Sequence, residues 1–179
     1  MDNGASSYRR FFDGDESGLE ELLNMYGDNL IYFINGYVKD INLAEDIMED
    51  TFMEIIVHKH TFRGESSFKT YLFRIARNKA INAIKKNKRY EVLDKDIEDI
   101  KKLEDAIIKT EMQKNVHNAI GSIRFDYAVV LKLLYFEDMS YEEIGRVLKK
   151  TNKQIKNLAY RARLALKEEL EKGGITYEI

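Results

Sequence analysis

The chain has 179 residues, 44% of them hydrophobic, which is enough for one ordinary domain or two small ones with real cores. It has no Cys, which excludes a disulfide scaffold, a zinc-thiolate site and a catalytic thiol. Its three His are scattered, and no metal or other cofactor is expected. The longest apolar run, Ala128 to Phe136, is interrupted by Lys132 and is far shorter than the about 20 residues of a membrane span. Because no apolar stretch lies near Met1 either, we expect a soluble cytoplasmic protein without membrane insertion.

The formal net charge of −2 is the sum of opposed blocks. Residues 13–54 hold twelve acidic residues and one Lys, whereas residues 69–90 and 144–167 each hold eight basic residues and no acid. Blocks of one sign create local fields that the total conceals. Such runs are usually solvated helix faces, but two acid-free basic segments in an acid-rich chain also fit contact with nucleic acid. Pro is absent, which favours uninterrupted helices.

The first half of the chain has helical apolar spacing. Three stripes occupy residues 19–26, 30–38 and 43–56, and the third leaves acidic side chains on its outer face. Residues 60–67 lack helical periodicity and contain a Gly and a Ser pair, which predicts a loop. Ser66 or Ser67 is placed to cap the next helix, Phe68 to about Asn87.

The second half begins after a charge-alternating linker. An apolar series over residues 116–135 ends in a short break, and Ser140 with Glu143 then forms a capping box that opens a short helix. Lys149-Lys150 is the expected turn, and Thr151 caps a last helix that Gly173-Gly174 stops. We therefore expect an all-α chain: two small helical domains joined by a charged linker, the C-terminal one a helix-turn-helix.

The last helix has an outward set of residues suited to DNA. Its members are Lys153, Lys156, Asn157, Tyr160, Arg161 and Arg163. Asn157 and Arg161 lie four residues apart and hence on one face. Since Asn suits adenine and Arg suits guanine, this face could read sequence as well as bind the backbone. The alternative is an amphipathic basic helix that only solvates its domain.

Together these segments resemble the extracytoplasmic-function (ECF) group of bacterial RNA polymerase sigma factors, over about residues 8–170. Residues 43–54, LAEDIMEDTFME, look like the polymerase-binding helix of that family. Residues 62–78, FRGESSFKTYLFRIARN, are similar to its minus-ten segment, and the strings MSYEEIG and YRAR, residues 139–145 and 160–163, to its minus-thirty-five reader. The resemblance implies a region-2-like domain at 8–88, a linker at 89–110, a region-4-like helix-turn-helix domain at 111–172 and a tail at 173–179.

The resemblance also implies roles for residues. An acidic face is expected to dock on the clamp helices of the largest subunit of core RNA polymerase, although such a face is usually just solvated; it comprises Asp46, Glu49, Asp50 and Met53. The residues expected to contact single-stranded minus-ten DNA are Arg63, Gly64, Ser66, Ser67, Phe68, Tyr71, Arg74, Arg77, Asn78 and Lys79. Those expected on the duplex minus-thirty-five element are Thr151, Lys153, Lys156, Asn157, Tyr160, Arg161 and Arg163. At least one of Phe62, Phe68 and Tyr71 is expected to belong to the core instead.

By this resemblance the chain is a sigma factor that directs core RNA polymerase to specific promoters, assists DNA melting, catalyses no reaction and is held by an anti-sigma factor. The alternative is a stand-alone helix-turn-helix regulator that binds duplex DNA. An enzyme is disfavoured because there is no nucleophile motif and no phosphate-cradling Gly loop. The family commonly has Gly where Lys149 stands, and a left-handed conformation there would cost about 1 kcal/mol.

Overall fold

In a computed structural model, the chain divides into two compact units, residues 1–104 and 105–179. The structure describes residues 4–58, 60–87 and 111–173, which form helices and connecting segments without a strand. The predicted all-α class is confirmed. The predicted linker at 89–110 and the tail beyond Gly173 lie outside the described residues, and the domain boundaries stay predictions.

The first unit contains four described helices, joined by short turns and one loop. They are α1 (Ala5–Phe12), α2 (Ser17–Val38), α3 (Ile41–Val57) and α4 (Phe68–Asn87). Two apolar stripes of the sequence belong to the single long helix α2. Helix α2 ends at Lys39, whose φ is 59°, and Asp40 then caps α3 by accepting a hydrogen bond from Leu43 N at 3.0 Å. Helices α2 and α3 pack against each other across this turn.

The core of the first unit lies where α2, α3 and α4 pack together. Its largest fully buried side chains come from all three helices, as the apolar spacing requires. They include Leu22, Leu30, Ile34, Ile55, Phe68, Leu72 and Phe73. Burial on one side of α3 and α4 leaves their other sides for solvent or partners.

Helix α1 was not predicted from the sequence. It is only eight residues long and begins after Gly4, whose φ is 81°. Gly18 of α2 is the point of close approach, because a Cβ there would lie 2.7 Å from the backbone nitrogen of Phe11. A short helix of this kind is stabilised by packing rather than by its own propensity.

The second unit contains four described helices: α5 (Glu111–Ser122), α6 (Phe125–Tyr135), α7 (Tyr141–Leu148) and α8 (Asn152–Lys172). The apolar series expected to run on through residues 116–135 is broken after Ser122. Arg124 precedes α6 with an extended ψ of 140° and pairs with Asp126 at 3.1 Å. Ile120, Leu131 and Ala162 bring α5, α6 and α8 into one buried cluster.

The turn between α7 and α8 is the predicted helix-turn-helix. Both capping boxes are present, Ser140 with Glu143 at the start of α7 and Thr151 with Gln154 at the start of α8. Lys149 is left-handed, with a φ of 56°. Gly145 has no room for a side chain, because a Cβ would lie 2.7 Å from the carbonyl oxygen of Lys150. The caps and this close contact fix the start of α8.

Among the described helices, we find none that is long and apolar enough to cross a membrane.

Candidate nucleic-acid interface

Helix α3 carries a stripe of exposed acidic side chains. Asp46, Glu49, Asp50 and Met53 are spaced so that they share one side of the helix, and all four are exposed. Met53 is 53% exposed and adds apolar surface to this acidic side of the helix. Buried residues such as Ala44, Ile47 and Phe52 occupy the opposite side of α3. The stripe is therefore available to a partner.

The loop before α4 lies over an aromatic cluster, which consists of Tyr8, Phe62, Phe68 and Tyr71. The ring of Phe62 lies edge-on to Tyr8 with centroids 5.1 Å apart and is also 5.1 Å from the ring of Tyr71. The hydroxyls of Thr61 and Tyr71 are 2.8 Å apart. Both ends of the loop are thus attached to α4, while Arg63 and Gly64 between them are exposed.

Ser67 is the cap of α4, where the sequence had left Ser66 and Ser67 as alternatives. Its Oγ accepts a hydrogen bond from Thr70 N at 3.2 Å and lies 2.8 Å from Thr70 Oγ1. Its hydroxyl is therefore partly committed to the helix. Ser66, half-buried, donates to the carbonyl oxygen of Ser67 at 3.3 Å.

Phe68 was predicted to contact DNA, and this is wrong. Its side chain is 0% exposed and stacks on Tyr8 with centroids 4.8 Å apart. As the first residue of α4 it points into the core, so a nucleotide cannot reach it. The expectation that at least one of the three aromatic residues belongs to the core is confirmed by this side chain.

The basic residues predicted along α4 lie in different surroundings. Arg74 is exposed and its guanidinium carbon lies 5.5 Å from the centroid of the Tyr71 ring. Arg77 hydrogen-bonds Tyr37 of α2, where burial raises the pKa of the tyrosine although this hydrogen bond opposes the shift. Lys79 pairs with Glu54 of α3 at 3.0 Å. Asn78, which stands between Arg77 and Lys79 in the sequence, is half-buried.

Helix α8 exposes five of the seven residues predicted to read the minus-thirty-five element on one broad face. They are Lys153, Lys156, Asn157, Tyr160 and Arg161. Tyr160 is 63% exposed, and Leu164 on the same face is 45% exposed. Ile155, Ala159 and Ala162 on the opposite side are fully buried. Thr151 is exposed, but its hydroxyl serves as the cap of α8.

Arg163, seven residues after Lys156, lies at the edge of that face and is half-buried, and its contact with DNA stays a prediction. Its Nε donates to the Tyr135 hydroxyl at 2.8 Å, and one terminal nitrogen donates to the Tyr141 hydroxyl at 3.0 Å. These hydrogen bonds, first to Tyr135 and then to Tyr141, raise the pKa of Arg163. The guanidinium thereby ties α8 to the end of α6 and the start of α7.

Sequence reasoning missed Tyr8, Glu54, Tyr135 and Tyr141, which all hold predicted site residues in place. Tyr135 and Tyr141 are 28 and 22 residues from Arg163 in the chain, beyond the reach of any helical period. The signal that could have found Tyr8 is the Asp13-Gly14-Asp15 turn, which indicates that a structured element precedes it.

A family model for Sigma-70 region 2 matches residues 22–90, and a model for Sigma-70, region 4 matches residues 113–166. The first match lies in the first compact unit and the second match in the second. Together they cover more than half of the chain.

Known proteins agree with these matches. The chain is 26% identical over 164 residues to the ECF RNA polymerase sigma factor SigM of Bacillus subtilis (strain 168), covering 87% of this chain and 96% of that protein. It is 29% identical over 171 residues to the RNA polymerase sigma-H factor of Pseudomonas aeruginosa, covering 88% and 89%. The solved structure of the sigma factor RpoE from Bartonella quintana, in complex with the anti-sigma factor NepR, has the same fold. Its TM-score is 0.64 at 22% identity, over 85% of this chain and 96% of that one. The chain thus belongs to the sigma-70 family and is an ECF sigma factor, which directs RNA polymerase to promoters.

Proposed function

We propose that this sigma factor divides its contacts among three surfaces: α3 for core polymerase, the loop 61–67 with α4 for single-stranded minus-ten DNA, and α8 for the duplex minus-thirty-five element. The observation that carries this proposal is the separation of exposed charge. Helix α3 contains acidic residues and no Lys or Arg, whereas the exposed face of α8 is basic and has no acid before Glu168. Polymerase and DNA are partners of opposite character, and each is matched by its own helix.

The α3 stripe suits a polymerase surface that carries Arg. Three carboxylates within two turns attract such a surface, and Met53 adds a flexible apolar contact among them. We assign this stripe to the clamp helices of the largest polymerase subunit, as the family resemblance implies.

The loop and α4 suit a base that has left the duplex. Such a base needs hydrogen-bond partners for its edge, a ring or guanidinium for its face and a cation for its phosphate. Gly64, with a φ of 73°, turns the loop backbone without a side chain to block a close approach. Tyr71 with Arg74 above its ring supplies the stacking surface. Arg63, Ser66 and Asn78 are the remaining residues that we place nearest the strand; Arg77, Lys79 and Ser67 act mainly within the protein.

Helix α8 suits the major groove of duplex DNA. Asn157 and Arg161 supply the bidentate groups that read adenine and guanine. Lys153, Lys156 and Tyr160 flank them and supply phosphate contacts.

Promoter opening then needs no catalysis by this chain. A base bound by the loop cannot pair with its complement. The free energy of that binding therefore shifts the equilibrium between duplex and melted DNA towards the melted state. We infer that the chain acts inside the cell, where its polymerase is, and is no enzyme. Because RpoE of Bartonella quintana was solved in complex with the anti-sigma factor NepR, we also propose a partner of that kind for this chain.

The test is promoter opening by holoenzyme that contains Asn78→Ala. We expect the permanganate-reactive bubble to fall about fivefold, since one base contact is worth roughly 1 kcal/mol or more, while the initial duplex complex is kept. Asn24→Ala, a change of the same kind at an exposed position on α2, is the matched control and should open promoters like the wild type. Equal loss of both complexes with Asn78→Ala, or no loss, would contradict the assignment of the loop and α4.

A further inference from the structure

Helix α1 and the first turn of α2 precede residues 22–90, which the region 2 model matches. The contacts of α1 are nevertheless directed at the segment that we assign to minus-ten DNA. Tyr8, the buried aromatic residue of α1, is 6% exposed and belongs to the aromatic cluster beneath the loop. A residue outside the matched range therefore takes part in the structure of the candidate site.

Tyr8 contacts Phe62, as Tyr71 does, and also packs on Phe68. Its ring stacks on Phe68 at 4.8 Å with planes 27° apart, and Phe62 meets it at 85° with centroids 5.1 Å apart. Phe62 also lies perpendicular to Phe68 at 5.7 Å. The half-buried Phe62 ring thus has three aromatic neighbours, one of which comes from α1.

The loop depends on this ring, because Phe62 is the one apolar side chain in the sequence from Thr61 to Ser67. Thr61 is attached through the Tyr71 hydroxyl, and Ser67 through Thr70. Arg63, Gly64 and Glu65 between these attachments are exposed. The packing of the Phe62 ring therefore determines the path of the backbone through Arg63, Gly64 and Glu65.

Helix α1 contacts both α2 and the turn that precedes it. Ser7 donates to Glu21 at 2.8 Å, and Arg10 pairs with Glu21 at 2.9 Å and with Asp15 at 3.1 Å. At Gly18 the two helices approach backbone to backbone. These contacts fix the position of Tyr8, and through it the position of Phe62.

We propose that Tyr8 is a positioning residue for the minus-ten reader: α1 is part of the device that selects unpaired bases, acting through Phe62 on the loop 61–67. This inference rests on the proposed function of the loop. Tyr8 need not touch DNA. It acts on discrimination, because a loop that samples several conformations accepts wrong bases more readily than one held in a single geometry.

The experiment compares promoter opening by holoenzyme on the cognate minus-ten element and on single-base variants of it. Tyr8→Leu, which removes the ring, is expected to lower the preference for the cognate element about fivefold, the effect of losing roughly one aromatic pair. Tyr8→Phe keeps the ring and should stay within about twofold of the wild type. Gly18→Ala should reproduce the loss without replacing any side chain of the aromatic cluster, because its Cβ displaces α1 and Tyr8 with it.

The preference is a ratio measured on the folded, polymerase-bound chain, so partial unfolding alone does not change it. A purely structural role for Tyr8 would lower opening on all promoters in the same proportion and leave the ratio intact, and that result would overturn the inference. If the wild-type holoenzyme shows no minus-ten preference, the proposed function of the loop fails too. If the wild type discriminates and both Tyr8→Leu and Gly18→Ala do so equally well, only the role of α1 is wrong.

Discussion

At the scale of single residues, Arg161 and Arg163 show how two similar side chains acquire different roles. They lie two positions apart on α8, and helical geometry turns them about 200° from each other. Arg161 is exposed on the face with Asn157. Arg163 donates to the hydroxyls of Tyr135 and Tyr141 and so contributes to the packing of the second unit.

Replacing each arginine by Met separates these roles. Arg163→Met is expected to lower the free energy of unfolding by about 1–2 kcal/mol, since two partly exposed hydrogen bonds to a charged group are lost. Arg161→Met should change it by less than about 0.5 kcal/mol but weaken binding to a cognate minus-thirty-five element by about 1–3 kcal/mol. Urea unfolding of the chain and binding of holoenzyme to cognate and scrambled elements measure the two effects.

The salt dependence of DNA binding tests the role of Arg163 independently of the unfolding measurement. If its guanidinium contacts a phosphate, Arg163→Met lowers the slope of log affinity against log salt by about one. An unchanged unfolding free energy together with such a loss of slope would contradict the role described above.

His117 gives the second unit a pH-dependent stability. Its side chain is 8% exposed; burial, and then the charge of Lys132, lower the pKa of His117 from 6.5 to about 4. The unfolded chain therefore binds the proton more readily between these values. The stabilisation is complete above about pH 6.5 and is lost as the pH falls towards 4.

We expect the wild type to lose about 1–2 kcal/mol of unfolding free energy through His117 between pH 7 and pH 4.5, after the full shift is discounted for solvent screening. His117→Gln should lack this part of the pH dependence, while His58 and His60, both exposed, remain in both chains. Urea unfolding at the two pH values provides the comparison. Equal losses in the wild type and His117→Gln would show that the buried imidazole contributes nothing.

At the scale of elements, the turn of the helix-turn-helix is correctly placed but strained. Lys149 has a φ of 56°, a conformation that favours Gly. Lys149→Gly is expected to raise the unfolding free energy by about 0.5–1 kcal/mol, since the relief of strain exceeds the added entropy of the unfolded chain. Lys150→Gly, one position on and without a positive φ, should lower it by a similar amount. If both variants lose stability, the left-handed turn is not the source of strain.

The elements that could be predicted are those whose signals are local. Helices α4, α7 and α8 have both an apolar period and a capping residue in the sequence, and their caps Ser67, Ser140 and Thr151 lie where expected. Helix α3 was predicted from its apolar period alone, and its cap Asp40 was not. Helix α1 and the break before Arg124 lack that combination of signals, and Tyr8 of α1 packs on Phe62 and Phe68, far along the chain. For the same reason the burial of Phe68 and the partners of Arg163 could not be read from spacing.

At the scale of the whole molecule, near-neutrality conceals a division between partners. Helix α3, which carries the acidic stripe, and the basic helix α4 belong to the same unit and are joined by the ion pair between Glu54 and Lys79 at 3.0 Å. The second basic face is on α8, in the other unit. The net charge of −2 therefore describes neither of the surfaces on which the function depends.

The central claim is that this chain is a sigma factor whose α3 stripe binds core polymerase, and a pull-down with core RNA polymerase tests it most directly. Three forms are compared: the wild type, Asp50→Arg in the stripe, and Asp28→Arg, the same charge reversal at an exposed position on α2. We predict that the wild type and Asp28→Arg bind alike and that Asp50→Arg binds at least about tenfold more weakly, because it places a cation against a basic partner. Failure of the wild type to bind core polymerase, or equal binding of Asp50→Arg and Asp28→Arg, would contradict the account.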